Sequence, residues 1–162
     1  MVLDYLRTIP NSFILDGFPR NLNQSKLFHQ YYGVDVVIHF KLPHDILLKK
    51  LTGRRVCIDM PKCPGNFNIA DINEGDIVMP SMSPKIDGIC DLCGKELTQR
   101  PDDNEESIEE RLKIYYDKTG PIEQYFKDSG LLLEYNIKKG IDDVPDIIDK
   151  MNQFINRNRG NI

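Results

Sequence analysis

The sequence Phe-Ile-Leu-Asp-Gly-Phe-Pro-Arg-Asn-Leu-Asn-Gln, residues 13–24, decides the fold of this chain. A short apolar run ends at Asp16, the chain turns through Gly17 and Pro19, and Arg20 follows. This order is typical of a buried parallel strand that opens onto a phosphate site. Asp16 is suited to hold Mg²⁺ through water, and Arg20 can grip a phosphate with two parallel N–H bonds. From these residues alone, a strand–helix turn with a surface arginine is an equally good interpretation.

Strand and helix patterns alternate along the rest of the chain. Residues 36–40 and 131–135 are apolar runs that indicate two more core strands. Helices are expected over residues 22–32 and 45–51, from residue 104, over 121–126 with Pro121 at its start, and over 144–155. This alternation predicts an α/β fold, with a parallel sheet and helices on both faces.

The composition excludes several classes of function. The 162 residues fit one domain, and the net charge of −4 leaves no basic excess for a nucleic-acid backbone. No apolar run approaches the length of a membrane span. We therefore expect neither nucleic acid nor membrane as a partner. All four cysteines lie between residues 57 and 93, which favours an intracellular metal site over a disulfide scaffold. The sequence does not distinguish cytoplasm, mitochondrion and plastid.

Residues 54–100 differ in composition from the flanking segments. Four prolines and four glycines in this stretch break any long regular element. We expect short β hairpins and loops that form a small inserted module, because so irregular a stretch cannot build a large core.

Four motifs occur in the order known from one enzyme family. They are Asp16-Gly-Phe-Pro-Arg20 with Gln24, Gly53-Arg54-Arg55, Gln99-Arg-Pro-Asp-Asp103 and Arg111-Leu112. With this combination the chain resembles the adenylate kinases, which are nucleoside monophosphate kinases with a P-loop NTPase-like parallel sheet. The resemblance implies that the inserted module is the mobile lid of the long-type enzymes. The implied division is core residues 1–53, lid residues 54–102 and core residues 103–162.

One family motif is missing from these residues. The Gly-rich phosphate loop, G-x-x-x-x-G-K-[ST], does not occur in the 162 residues. Its backbone N–H groups and its lysine normally cradle the nucleotide phosphates. The resemblance therefore implies the C-terminal portion of an adenylate kinase with an incomplete N-terminal part of the sheet. We expect this chain to be inactive on its own.

The resemblance also implies a role for each arginine of the motifs. Arg20 resembles the arginine that binds the phosphate of AMP. Arg54 and Arg100 resemble lid arginines that close over the phosphates of ATP. Arg111 resembles an arginine that reaches the phosphates from the helix after the lid. Arginines suit phosphoryl transfer because the reaction needs two anionic substrates held in line with their charge neutralised.

Four further residues resemble positions that contact the bases. Gln24 resembles the residue that recognises the adenine of AMP, and Gly17 the backbone position beside it. Lys139 matches a segment whose backbone meets the adenine of ATP. Lys50 stands where the family usually has an arginine that stacks on that adenine. Because lysine lacks the planar stacking surface, GTP remains an alternative donor.

The adjacent acids Asp102 and Asp103 have two interpretations. Either residue can be the N-cap of the helix that follows. We expect Asp103 to have this capping role, and Asp102 either to pair with an arginine of the lid or to shape the closed state.

The four cysteines, Cys57, Cys63, Cys90 and Cys93, resemble the lid of zinc-bearing adenylate kinases. Cys90 and Cys93 have two residues between them, which suits two thiolates on one ion. Cys57 and Cys63 are irregular, because five residues separate them. Structural zinc and the packing of reduced cysteines are both open interpretations.

The function implied by the resemblance is reversible phosphoryl transfer from ATP to AMP, with Mg²⁺ as the cofactor of ATP. The expected partners are ATP and AMP, and the expected oligomeric state is a monomer. Two alternatives remain open: a monophosphate kinase that uses GTP, and a non-catalytic nucleotide-binding or interaction module that lacks the P-loop.

Overall fold

A computed structural model describes Leu6 and residues 12–159 of the chain. The four α-helices of these residues are α1 Leu22–Tyr31, α2 His44–Thr52, α3 Glu105–Asp128 and α4 Val144–Arg159, with a 3₁₀ helix at Gly140–Asp143. The strands are β1 Val37–Lys41, β2 Arg54–Cys57, β3 Asn66–Asn68, β4 Ile72–Glu74, β5 Ile77–Met79, β6 Leu97–Thr98 and β7 Leu132–Asn136. None of the described helices combines the length and the apolar character that a membrane crossing requires.

The core contains a parallel pair of strands against which helices pack. β1 lies beside β7 in register from Val37 opposite Leu132 to Lys41 opposite Asn136. Helices α3 and α4 both contact β7, and α3 also contacts α1 and α2. Phe126 of α3 and Tyr135 of β7 are among the most buried side chains. The predicted α/β class, with a parallel sheet between helices, is confirmed, and both predicted strands begin one residue later than expected.

The strand expected at the apolar run before Asp16 is wrong for the described structure. Residues 13–15 have no regular secondary structure and pair with no strand of the described chain. Phe13 packs edge-on against Phe28 of α1, whereas Ile14 is 91% exposed. An apolar run becomes a strand only where a neighbouring backbone completes its hydrogen bonds, and none of the described strands lies beside this segment.

Helix α3 is longer than the sequence suggested. Pro121 lies inside it and does not begin a separate helix, so that prediction is wrong. The helix continues past the proline because its later turns bury Phe126, which packs against Tyr125 and His29. Asn104 caps the helix by accepting a hydrogen bond from the N–H of Ser107 at 3.0 Å. The expected cap, Asp103, therefore has another role.

Residues 54–100 form two small antiparallel sheets. β2 lies between β3 and β6, and β4 pairs with β5 as a hairpin. The hairpin contributes Ile72, Ile77 and Met79 to a buried cluster with Ile46 of α2. One part of the insert is thus packed against the core, while β2, β3 and β6 lie around the cysteines.

Candidate functional site

The turn before α1 brings together three of the predicted residues. Gly17 has a φ of +74°, a conformation that favours glycine. Its carbonyl accepts a hydrogen bond from Nε of Arg20 at 2.5 Å. The backbone N–H of Arg20 donates to Oε1 of Gln24 at 2.8 Å. Asn21 caps α1, and both Asp16 and Arg20 are exposed. The predicted phosphate and base residues therefore form one solvent-facing unit at the start of a helix.

A buried ion pair joins the two ends of the inserted module. Nε of Arg54 donates to Oδ2 of Asp103 at 2.8 Å, and Nη2 of Arg54 donates to Oδ1 of the same residue. Asp103 is fully buried, and the side chain of Arg54 is 20% exposed. The hydrogen bonds that Arg54 donates to Asp103 raise the pKa of Arg54, although burial opposes the shift. The expectation that Asp103 caps the helix is wrong, because its carboxylate is committed to this arginine.

A second, exposed pair lies beside the first. Nη1 of Arg111 donates to Oδ2 of Asp102 at 2.7 Å, with about half of each side chain in solvent. Asp102 was expected to pair with a lid arginine, but its partner is on the helix that follows the lid. The two adjacent carboxylates thus hold Arg54, at the start of the inserted module, and Arg111, on the helix that follows it.

Gln99 also links the two ends of the inserted module, and sequence reasoning missed this role. Its Nε2 donates to the backbone carbonyls of Thr52 at 3.2 Å and Asp103 at 2.7 Å. One amide therefore links the segment that enters the insert to the segment that leaves it. The only sequence signal was its place in the motif at residues 99–103, which gave no hint of a partner 47 residues away.

Arg100 lies on the same segment, at the end of the inserted module. It lines an open cavity of about 460 Å³ together with Gln99, Pro101, Met60 and Ile58. Arg54, Arg100 and Arg111 are thereby associated with one short stretch, residues 99–104. Arg20 is on a different segment, at the start of α1.

The two predicted lysines make different hydrogen bonds within the protein. Nζ of Lys50 donates to the carbonyls of Ala70 at 3.1 Å and Met79 at 3.5 Å. Burial lowers the pKa of Lys50, against an opposing effect of Asp71. The backbone N–H of Lys139 donates to Oδ2 of buried Asp143 at 2.7 Å. Lys50 therefore lies beside the β4–β5 hairpin, and Lys139 lies beside the 3₁₀ helix.

The four cysteine sulfurs form one cluster. All four Sγ atoms lie within 4.8 Å of one another, with Cys57 3.4 Å from Cys93 and Cys63 3.6 Å from Cys90. These distances exceed the roughly 2.05 Å of a disulfide, and all four cysteines are free. In a regular tetrahedron with Zn–S bonds of about 2.3 Å, neighbouring sulfurs are about 3.8 Å apart. The cluster therefore fits a zinc ion in both donor type and spacing.

Gly65 makes the cluster possible, and sequence reasoning missed it as well. A Cβ built on Gly65 overlaps Sγ of Cys90 and lies 3.2 Å from Cβ of Cys57. The backbone of Gly65 also accepts a hydrogen bond from the N–H of Cys57 at 2.9 Å. Only a residue without a side chain allows this close approach. The glycine could be recognised as structural only once the sulfurs around it were known.

Backbone N–H groups near the cluster favour the thiolate form of two of the cysteines. Burial raises the pKa of Cys90, but N–H groups of Leu92 and Cys93 and the neighbouring thiols outweigh it and bring the pKa to about 7. The N–H of Gly65 favours the thiolate of Cys63, yet burial and the other sulfurs raise its pKa to about 12. Four sulfurs this close cannot all be thiolates without a cation, and a bound metal removes that repulsion.

The family profile and the similar proteins that match this chain all carry the same family name. Residues 1–131 match the family profile of adenylate kinase (ADK). The chain is 39% identical over 155 residues to a protein of Oryza sativa subsp. japonica named probable adenylate kinase 6, chloroplastic, covering 92% of this chain and 50% of that protein. It is 37% identical over 139 residues to an adenylate kinase of Clostridium botulinum (strain Loch Maree / Type A3), covering 83% and 58% respectively.

A potato protein extends the comparison. An adenylate kinase of Solanum tuberosum is 37% identical over 143 residues, which are 86% of this chain and 48% of that protein. The chain spans about half the length of the curated relatives it matches.

Proposed function

The chain belongs to the adenylate kinase family, whose members are phosphotransferases, and on that premise we propose that it is part of an enzyme that transfers a phosphoryl group reversibly from ATP to AMP. The products are two molecules of ADP. ATP enters as its Mg²⁺ complex, with Asp16 near the metal through water.

The arrangement of the hinge arginines carries this proposal. Arg54 and Arg111 are held by the adjacent carboxylates of Asp103 and Asp102. A guanidinium has five N–H donors, and the bidentate pair with Asp103 uses two of those of Arg54. The remaining donors are available to a phosphate. Two arginines fixed at one hinge supply the charge neutralisation that phosphoryl transfer requires.

The other predicted residues complete the site. Arg20 binds the phosphate of AMP, Gln24 and the backbone of Gly17 contact its adenine, and Arg100 joins the arginines that close over ATP. The expected division into core residues 1–53, lid residues 54–102 and core residues 103–162 stays part of the proposal. The link that Gln99 makes between Thr52 and Asp103 supports a hinge there.

Zinc has a structural place in this proposal. Cys57, Cys63, Cys90 and Cys93 hold one ion and leave no open coordination position, so the metal stabilises the insert and takes no part in phosphoryl transfer.

A GTP-using kinase is the second candidate function. The ammonium of Lys50 donates to the carbonyls of Ala70 and Met79, and lysine lacks the planar surface with which an arginine stacks on adenine, which favours this alternative. A donor panel of ATP and GTP at equal concentration separates the two candidates.

Replacement of Arg20 tests the proposed AMP site. Loss of a charge-assisted contact of about 1.5–3 kcal/mol lowers kcat/KM for AMP by about 10- to 150-fold in Arg20→Ala. The matched control is Arg157→Ala, because Arg157 is exposed on α4. Steady-state kinetics on the protein at its natural length measure both. Equal AMP kinetics in the two variants would remove Arg20 from the site.

Comparing the activity of residues 1–162 with that of the protein at its natural length tests the expectation that this chain is inactive on its own. Residues 1–162 contain no Gly-rich loop with a lysine, so we propose that they turn over far below the usual kinase range of about 1–100 s⁻¹. A coupled assay with ATP, AMP and Mg²⁺ measures this directly. Turnover of these residues within that range would contradict the proposal. An inactive protein of natural length would instead favour the non-catalytic binding module.

A further inference from the structure

The β4–β5 hairpin belongs to the insert in sequence, but its buried side chains pack on the core. Ile72, Ile77 and Met79 form one apolar cluster with Ile46 of α2. Ile137, which directly follows β7, packs against the same cluster. The cysteines belong to a separate buried cluster, against which side chains of β3 and β6 pack. The insert is therefore divided between two packed units.

Polar contacts join the hairpin to the same side of the core. The N–H of Val78 donates to the carbonyl of Lys138 at 2.8 Å. The ammonium of Lys138 pairs with Asp76, and Lys49 of α2 pairs with Glu74 at 2.6 Å. Both ion pairs are exposed, and exposed pairs contribute little to stability. The attachment therefore depends mainly on the apolar cluster and on the hydrogen bond of Val78.

Short segments connect the hairpin to the rest of the insert. Residues 69–71 lie between β3 and β4. Residues 80–81 lie between β5 and Met82, which forms a β-bridge with Asn68 of β3. Because an extended chain spans at most about 3.6 Å per residue, Asn68 can lie no farther than about 14 Å from Ile72. A docked hairpin therefore keeps the β3 edge of the insert close to the core.

We propose that the β4–β5 hairpin is a strap. It stays docked on the core when the rest of the insert, residues 54–68 and 80–100, opens, and it limits how far that part can move away. The insert then has three attachments to the core, since the strap adds to the chain connections at Gly53 and Pro101. This narrows the lid of the proposed function by the hairpin. The strap itself follows from these contacts, and its test needs no nucleotide, so an inactive protein would not affect the result.

Native-state hydrogen exchange tests the strap in the unaltered protein at its natural length. Three amides report on the three parts: Val78 on the contact between hairpin and core, Val37 on the core, and Cys57 on the rest of the insert. Separately packed units open with separate free energies. As denaturant is added, the amide of Val78 should open together with that of Val37, and the amide of Cys57 should open at lower denaturant. The strap is overturned if Val78 opens apart from Val37, or if all three amides open together.

Substitution in the hairpin supplies the second measurement. Ile77→Ala removes part of the buried cluster, so it should speed exchange at the amide of Val78 by about 30-fold or more. The amide of Cys57 should change by less than about threefold, because its unit opens without the hairpin. The matched control is Asn73→Ala, because Asn73 is exposed on the same hairpin. It should leave both amides within about threefold of the parent protein.

Two results of this substitution would overturn the strap. Equal acceleration at Val78 and Cys57 would show that the hairpin and the rest of the insert open as one unit. No acceleration at Val78 would show that the apolar cluster does not hold the hairpin on the core. If Ile77→Ala does not fold, exchange in the unaltered protein still decides between the strap and a single unit.

Discussion

The cysteine cluster and the hinge arginines differ in the length of sequence that supplies their residues. All four sulfurs come from residues 57–93, and the geometry of the cluster is complete within that stretch. The arginines are spread from Arg20 to Arg111, and two of them are held by carboxylates at the hinge. The cluster is therefore a local structure, whereas the arginine site depends on how distant segments meet.

This difference separates stability from function. The part of the insert formed by β2, β3 and β6 has few apolar side chains around the sulfurs, so its order depends on a small number of contacts there. Arg111 has the opposite requirement, because it must be able to exchange its protein partner for a phosphate. We expect substitutions at the cluster to unfold the insert and substitutions at the exposed hinge pair to leave the fold intact.

The largest effect is expected at the cluster. Cys90→Ser should lower the zinc content from about one equivalent to less than a tenth, and it should expose residues 54–100 to proteolysis. Metal binding energy is folding energy in so small a module, with about 10–16 kcal/mol for zinc-finger peptides as the upper reference. Elemental analysis and limited trypsin digestion are the measurements.

The control for this variant is Ser81→Ala, because Ser81 is exposed in the same insert. It should keep both zinc and protease resistance. An unaltered protein that carries no zinc and yet keeps an ordered insert would contradict the metal site and favour packing of reduced cysteines.

The second largest effect is expected at the buried hinge pair. Asp103→Asn leaves the charge of Arg54 without its buried partner, which should lower the free energy of unfolding by about 3–5 kcal/mol. Denaturant titration measures the loss. Asp102→Asn is the matched control, because the neighbouring side chain is half exposed. Equal losses in the two variants would show that the burial of Asp103 has no energetic consequence.

A smaller effect is expected where the backbone approaches the sulfurs. Gly65→Ala places a methyl group against Cys90 and Cys57, and overpacking of this kind costs about 1–3 kcal/mol. Zinc affinity should fall with it, since Cys90 has to move. Gly33→Ala is the control, because a Cβ on Gly33 has no atom within 4 Å. Competition with a chelator and thermal unfolding together test the prediction, which fails if the two variants behave alike.

The same contrast explains which features were predictable from sequence. The cysteine cluster and the strands near residues 37 and 132 follow from local patterns. The roles of Asp102 and Asp103 were not predictable from local sequence, because both are acids at adjacent positions. Their roles differ because Arg54, 49 residues earlier, pairs with Asp103. The strand expected before Asp16 failed for a related reason: its apolar run is local, but its pairing is not. Gln99 likewise acquires its role from a partner 47 residues away, and Gly65 acquires its role only from the arrangement of the sulfurs around it.

The smallest effect is expected at Arg111 and Asp102, and its small size has a functional meaning. Exposed ion pairs contribute about 0.2–1 kcal/mol, so a double-mutant cycle of Asp102→Ala and Arg111→Ala should give a coupling energy in that range. The coupling should weaken in high salt, because about half of each side chain is in solvent. A pair this weak lets Arg111 leave Asp102 for a phosphate at little cost. A coupling above about 3 kcal/mol, typical of a broken buried pair, would argue that Arg111 is committed to Asp102 and does not exchange.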